Sequence, residues 1–253
     1  MTTPVKVPIE NLKMEPYASV LCYPRVSDME LRERIDELRN HGVEKVEFVG
    51  KSNAFNLPVL GKGFVGIVAT AYVDNQRVAL KIRRVDADRR GLEYEAQMLA
   101  KANSVQVGPR FMGVSKNFLL MQLIDGDMLP KWLEAYKEKV HVRCVLNDVL
   151  EQCWRLDTAG LDHGELSKAP KHIIVDKQRK PWIVDYETAS VNRKSANVTS
   201  ICQFLFISGG EVARAVAEAL GDRSATNIIG ALRVYKKERK REGFDHVQQV
   251  CLG

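Results

Sequence analysis

Gly61-Lys-Gly-Phe-Val-Gly-Ile-Val-Ala-Thr-Ala-Tyr-Val73 is the stretch whose reading decides the fold. Gly61, Gly63 and Gly66 have the GxGxxG spacing of a dinucleotide-binding turn, but that turn needs a helix after the loop. Here Gly66 to Val73 is rich in β-formers, and Val59-Leu60 leads in from a strand, so the loop joins two strands. Glycines in such a loop let backbone N–H groups approach phosphate oxygens with no Cβ in the way. The alternative is an ordinary glycine-rich hairpin. Asp74-Asn75 then marks a turn, and Arg77-Val-Ala-Leu-Lys-Ile82 reads as a third strand.

On that third strand Val78, Leu80 and Ile82 share one face, while Ala79 and Lys81 share the other, toward the glycine loop. A lysine on an inward face is costly unless it meets an anion, either a phosphate or a carboxylate that orients it. Asp86 to Asn103 has helical periodicity through Leu92, Ala96, Leu99 and Ala102. Glu95 falls on the inward side of that helix and Glu93 falls away from it; the other reading of Glu95 is an exposed residue at the stripe's edge. Phe118 to Ile124 returns to strand character and ends at the Asp125-Gly126 turn.

Downstream the pattern is mostly helical. Val142, Val145, Leu146, Val149, Cys153 and Leu156 keep one stripe until Gly160, a natural helix stop. The loop Leu161-Asp-His-Gly-Glu-Leu166 follows. Glu165 in it could accept the proton of a substrate hydroxyl or orient that hydroxyl, with Asp162 as the neighbouring alternative. His163 reads as a structural, hydrogen-bonding histidine. Asp185 ends the apolar strand Pro181-Trp-Ile-Val-Asp185, a good place for a hard-oxygen ligand to Mg2+; the alternative is a turn aspartate capping the next segment.

The 253 residues suffice for one large or two-lobed domain, and 45% hydrophobic with 28% charged residues is ordinary for a soluble globular chain. No apolar run approaches the roughly 18–20 residues that span a bilayer, and Met1 to Glu10 lacks a signal-like start, so the expected location is the cytoplasm, with no membrane partner. Five scattered cysteines read as buried free thiols rather than a zinc or disulfide framework. The net charge of +6 is concentrated late, in Lys236-Lys-Glu-Arg-Lys-Arg241. That run reads as a solvated face of a C-terminal helix, or as a contact for nucleic acid, a ribonucleoprotein or an acidic protein. Residues 1–49 read as an extension: Ser27 caps a helix with Glu30 as its capping-box partner, Leu31, Ile35 and Leu38 line it to Asn40, Gly42 stops it, and Val46 to Val49 makes a short strand.

In this order and spacing the fragments resemble the protein-kinase-like superfamily over roughly residues 57–207. The likeness is to its small atypical microbial members: RIO kinases, the small kinase of the KEOPS tRNA-modification complex, aminoglycoside and choline phosphotransferases, and more closely the predicted archaeal Ser/Thr protein kinases. The resemblance implies an α+β, bilobal kinase-like fold: an N-terminal extension over 1–49, a β-rich N-lobe over 50–124 and a helical C-lobe over 125–253. It also implies an ATP- and Mg2+-dependent Ser/Thr protein kinase acting on a protein acceptor. Gly61, Gly63 and Gly66 match the phosphate flap, Lys81 the phosphate-binding lysine and Glu95 its helix partner. Val68, Ala79 and the hinge-like Met121, Gln122 and Leu123 match positions around adenine, and Asp185 of Val-Asp-Tyr-Glu matches the metal-binding aspartate.

Two positions depart from the family pattern. His163-Gly-Glu-Leu166 has Glu165 where the atypical kinases have Asp. The family's metal-binding Asn falls at Pro170, or, allowing a two-residue insertion, at His172, an imidazole that can ligate a metal although Mg2+ prefers oxygen. Lys168 is near enough in sequence to assist a phosphate. No APE motif follows Val184-Asp-Tyr-Glu187, and the segment to Val198 is short, as in the atypical kinases. Two further readings stay open: a nucleotide-binding pseudokinase serving as scaffold or switch, and a small-molecule kinase.

Overall fold

The computed structural model describes residues 4–87 and 92–253. In chain order the elements are β1 (Val5–Pro8), α1 (Tyr17–Leu21), α2 (Asp28–Asn40), β2 (Val43–Phe48), β3 (Ser52–Ala54), β4 (Leu57–Val59), β5 (Gly61–Lys62), β6 (Gly66–Val73), β7 (Gln76–Arg83), α3 (Glu93–Ser104), β8 (Phe111–Val114) and β9 (Phe118–Gln122). They continue as β10 (Gly126–Met128), α4 (Leu129–Ala135), α5 (Lys139–Thr158), β11 (Ile173–Asp176), β12 (Pro181–Ile183), α6 (Asn197–Cys202), α7 (Glu211–Leu220), α8 (Ala225–Glu238) and α9 (Arg241–Leu252). The chain divides into two units, residues 1–97 with 110–123, and residues 98–109 with 124–253. The fold is mixed α/β, with an antiparallel sheet in the N-terminal region and helices in the C-terminal region.

In the first unit, among the described residues, seven strands form an antiparallel sheet in the order β1-β2-β6-β7-β9-β8, with β5 also on β6. Asp74 and Asn75 both take left-handed φ, 49° and 60°, so β6 and β7 are joined by the two-residue turn whose twist suits a hairpin. The resulting register pairs Val68 with Lys81 and Thr70 with Ala79. One face of the hairpin, carrying Ile67, Ala69, Ala71, Val78, Leu80 and Ile82, joins Leu21, Leu31, Ile35, Leu38 and Phe48 in a single buried cluster. The first 49 residues thus supply two strands of the sheet and much of its core.

The cap of α2 and two of its polar side chains anchor that packing. Ser27 caps the helix, its hydroxyl accepting from the Glu30 amide at 3.3 Å. Arg34 is fully buried, and its guanidinium donates to Glu30 (2.7 Å), to the Leu21 and Arg83 carbonyls (2.6 Å each) and to Asn117 Oδ1 (3.1 Å). Glu37 accepts from the Asn117 amide and side chain, at 2.9 and 2.6 Å, and from the Ser115 hydroxyl at 2.5 Å. A buried charge is tolerable only with this degree of satisfaction.

The helix expected from Asp86 begins later, at Glu93. Asp86 lies in a turn and accepts two bonds from Arg84, at 2.8 and 2.7 Å. Residues 88–91 of the expected helix lie outside the described residues.

In the second unit β10, β11 and β12 form a three-stranded antiparallel sheet, and α5 packs against β12, α6, α7 and α9. Gly160, at φ +68°, ends the turn after α5. The basic run Lys236–Arg241 does not lie along one C-terminal helix. Arg239 takes left-handed φ (51°) and closes α8, and α9 starts at Arg241. Arg239 donates to the Ser195 hydroxyl (2.7 Å) and to the Ser195 carbonyl, while Arg241 forks onto Glu151 at 2.7 and 2.9 Å and lies over the Trp154 ring. Two of the run's cations therefore hold structure, and Lys236, Lys237 and Lys240 are exposed. The cysteines are free; four are buried, whereas Cys144, on the outer side of α5, is exposed. Among the described residues no helix is long and apolar enough to cross a membrane.

Replacing Arg34 by Ala strands buried carbonyls and removes a partner of Glu30. The expected loss is about 3–5 kcal/mol of unfolding free energy in urea titration, with Arg34→Lys restoring only part of it because an ammonium lacks the planar fork. A loss under 1 kcal/mol would mean that the first 49 residues are not held by this network.

Candidate functional site

The first unit presents the glycine loop and Lys81. Alternation along β7 turns Lys81 away from the buried cluster and onto the face it shares with Val68 and Ala79. There its ammonium lies 2.9 Å from Glu95 Oε1 and 2.8 Å from Glu95 Oε2, with only 7% and 6% of the two side chains exposed. Glu95 comes from the first turn of α3, one residue before Ala96, which packs with Val65, Leu92 and Leu119. Glu93, by contrast, is exposed.

The three loop glycines are not equivalent. A Cβ at Gly66 would lie 2.8 Å from the Ile82 carbonyl oxygen, so β-pairing itself demands glycine there. At Gly61 and Gly63 a Cβ would make only ordinary contacts, at 4.0 and 3.7 Å. The loop closes through the Gly63 amide, which donates to the Gly66 carbonyl at 2.8 Å, and Phe64 at its tip is 95% exposed. Met121 stands opposite Ala79 in the sheet register, and the Gln122 side chain accepts from the Arg110 amide at 3.2 Å. Leu123 follows directly after β9 and is half-buried.

The second unit builds a rigid loop from a buried acid. Asp157, near the end of α5, accepts from the backbone and side-chain amides of Asn197 at 2.8 Å each, and from the Tyr235 hydroxyl at 2.9 Å. Asn197 in turn accepts from the His163 amide (2.9 Å) and donates to the Leu161 carbonyl (2.7 Å). The segment after Asp185 is pinned to the same loop. Asp162 and Ser190 exchange backbone bonds at 2.9 and 2.8 Å, and the Thr188 hydroxyl donates to the His163 carbonyl at 3.0 Å. Arg193 donates to Asp162 (3.0 Å) and to the Thr188 carbonyl (2.6 Å). Gly164 has φ +91°, and a Cβ there would fall 2.5 Å from Arg193 Nη2, so only glycine suits this loop.

His163 is fully buried, and burial pushes its imidazole down to about 4 against the opposing effect of the Val184 carbonyl, 3.0 Å from Nε2. The ring is neutral at physiological pH, and a carbonyl partner requires the proton on Nε2. His163 is a structural group. Its neighbour His172 turns the other way: Nε2 lies 3.4 Å from Glu165 Oε2 and 4.0 Å from Asp185 Oδ2. The His172 backbone is fixed by its amide donating to the Ala169 carbonyl at 3.2 Å and by its carbonyl accepting from the Val184 amide at 2.9 Å. Asp185 takes φ +70°, which a short polar side chain tolerates.

The ligand atoms of Glu165, His172 and Asp185 all lie within 4.8 Å of one another. Donors sharing one ion at about 2.1 Å stand roughly 3.0–4.2 Å apart, so two carboxylates and one imidazole in this arrangement suit a divalent cation. Of the two positions considered for the family's asparagine, His172 rather than Pro170 joins this cluster. Lys168 lies in the short 3-10 turn Leu166–Lys168 and is exposed.

Asp157, Asn197 and Arg193 escaped the sequence reading. For Asp157 a signal existed: it lies four residues after Cys153, an acid on the buried side of an otherwise apolar stripe.

The model of the RIO domain matches residues 69–200, a range that holds Lys81, Glu95, Glu165, His172 and Asp185 and begins just after the glycine loop. An uncharacterized protein of Methanocaldococcus jannaschii is 28% identical over 121 residues, 48% of this chain and 99% of that protein.

A buried ion pair contributes little net stability, yet breaking it by removing one partner is costly. Lys81→Met is therefore expected to lose about 3–5 kcal/mol in urea unfolding, and the Lys81→Met/Glu95→Leu double variant to recover most of that loss. Additive losses in the two single variants and the double would show that the two groups are not coupled.

Proposed function

The chain belongs to the RIO-domain family of atypical protein kinases, and on that premise we propose that it is an ATP- and Mg2+-dependent phosphotransferase whose acceptor is a Ser or Thr hydroxyl of a protein. The observation that carries the reading is the buried Lys81–Glu95 pair on the face of β7 that also carries Ala79. Apolar residues of like volume would stabilise that position as well or better, so the pair supports a role in holding an anion. Glu95 orients the ammonium, and Lys81 holds the α- and β-phosphate oxygens. Gly61 and Gly63, where the fold leaves room around Cα, let the loop backbone approach the phosphates. Val68, Ala79, Met121, Gln122 and Leu123 line the adenine.

Glu165 orients the acceptor hydroxyl and takes its proton as the oxygen bonds to the γ-phosphorus; the bond to the β–γ bridging oxygen breaks, and ADP leaves with those electrons. Asp185, with His172 beside it, holds the cation. Mg2+, when bound, offsets the charge on the phosphate oxygens. Arg193 and Thr188 keep the loop carrying Glu165 in place through Asp162 and the His163 carbonyl.

Lys81→Ala and Asp185→Asn are expected to abolish autophosphorylation from γ-labelled ATP, and unchanged activity in either would remove this mechanism. Glu165→Ala should lower single-turnover transfer by about 10^2–10^4-fold while the thermal shift with ATP stays. ATP binding without any Glu165-dependent transfer would point to a pseudokinase, and transfer to hydroxylated metabolites but not to protein would point to a small-molecule kinase.

A further inference from the structure

We propose that His172 makes the cation site selective for a divalent first-row transition ion, of the Mn2+ class, over Mg2+. The inference rests on the reading above, in which Asp185 and Glu165 face the phosphates. It keeps Mg2+ as an ion the site accepts and goes beyond that reading by naming, from the donor set, the ion the site prefers. His172 Nε2, at 3.4 Å from Glu165 Oε2 and 4.0 Å from Asp185 Oδ2, stands at distances that donors around one ion adopt.

The imidazole cannot readily be replaced by water at that vertex. Its side chain is 13% exposed, its ring packs 5.5 Å from that of His163, and both backbone polar groups are tied to Ala169 and Val184. Its Nδ1 is buried with no hydrogen-bond partner among the described residues, which leaves Nε2 as the nitrogen open to a ligand.

The chemistry then separates the ions. Mg2+ requires near-octahedral oxygen ligation at about 2.0–2.1 Å and gains little from a nitrogen donor. Imidazole suits transition ions, while carboxylate and phosphate oxygens suit Mn2+ as they suit Mg2+. With Asp185 and phosphate oxygens common to both ions, the imidazole is the donor that adds to Mn2+ affinity and little to Mg2+, while Glu165 stays beside the ion to take the acceptor proton. Glu165 and Asp185, with 41% of each side chain exposed, leave the remaining positions to water or nucleotide.

The test is binding of Mn2+ and Mg2+ to the full chain without nucleotide, by calorimetry and by the free-Mn2+ electron paramagnetic resonance signal, in wild type, His172→Asn, Asp185→Asn and Glu165→Gln. Wild type is expected to hold Mn2+ about tenfold or more tighter than Mg2+, and His172→Asn to weaken Mn2+ about 10–100-fold while changing Mg2+ little. Electron spin echo modulation from a directly bound 14N should appear in the wild-type Mn2+ complex and vanish in His172→Asn. Absence of that modulation in wild type, or equal Mn2+ affinity in His172→Asn, overturns the assignment. If Asp185→Asn still loses both ions in that case, the phosphotransferase reading survives. If neither Asp185→Asn nor Glu165→Gln alters the binding of either ion, both readings fall together. Should His172→Asn not fold, the wild-type spectrum and His172→Gln decide the question.

Discussion

In a hairpin closed by two residues, the register has no freedom. Asp74 and Asn75 close β6 on β7, and every pair from Val73–Gln76 to Gly66–Arg83 follows from that closure. Because side chains alternate, a slip of one residue would exchange the two faces. Ile67, Leu80 and Ile82 would leave the buried cluster, and Lys81 would enter it. The apolar face is thus the reason the lysine has a fixed direction. Glu95 then meets it because α3, packed through Ala96 beside the buried Leu92, also turns Glu95 inward. Hydrophobic burial specifies the register, and the register places the charge.

The second unit solves the same problem with polar groups. Glu165 sits in a loop outside the named strands, held by the Asp162–Ser190 bridge and by bonds radiating from Asp157 through Asn197 to the His163 amide. Each buried donor or acceptor in that chain is costly to strand, which makes the loop's conformation close to all-or-none. The short segment after Asp185 is held by Ser190, Thr188 and Arg193, so it needs no long activation loop to define its path.

What was legible in the sequence follows the same division. Period-two alternation, the Asp74-Asn75 turn and the Ser27 cap are local signals, and a strand reading of residues 66–73 needs nothing beyond its own residues. The role of α2 was not legible, because Arg34 with Glu30 looks like one more helix-surface pair until its distant partners, 13 to 83 residues away, are known. The break at Arg239 was equally hidden: a helix stop without glycine leaves no composition signal, and the residue's partner Ser195 is 44 residues distant. The α3 start at Glu93 lies later than the apolar period suggests, with Arg84 and Asp86 paired in a turn upstream. Long-range satisfaction of polar groups is the part that periodicity does not encode.

Two departures from the kinase pattern, Glu165 and His172, gain meaning from being neighbours. Taken singly, each places a longer side chain where the family has a shorter one, and catalytic geometry tolerates little displacement. Together they meet, with Nε2 and Oε2 at 3.4 Å and Asp185 completing the group. A longer carboxylate brings its oxygen to the imidazole, and a fixed imidazole gives that oxygen a defined place in a loop already locked by Gly164 and Arg193. The pair therefore forms one altered arrangement, in which an imidazole stands where the family has an amide and both Glu165 and Asp185 lie beside it. What the loop keeps of the family pattern is the placement of its carboxylates; what has changed is the side chain that stands beside them.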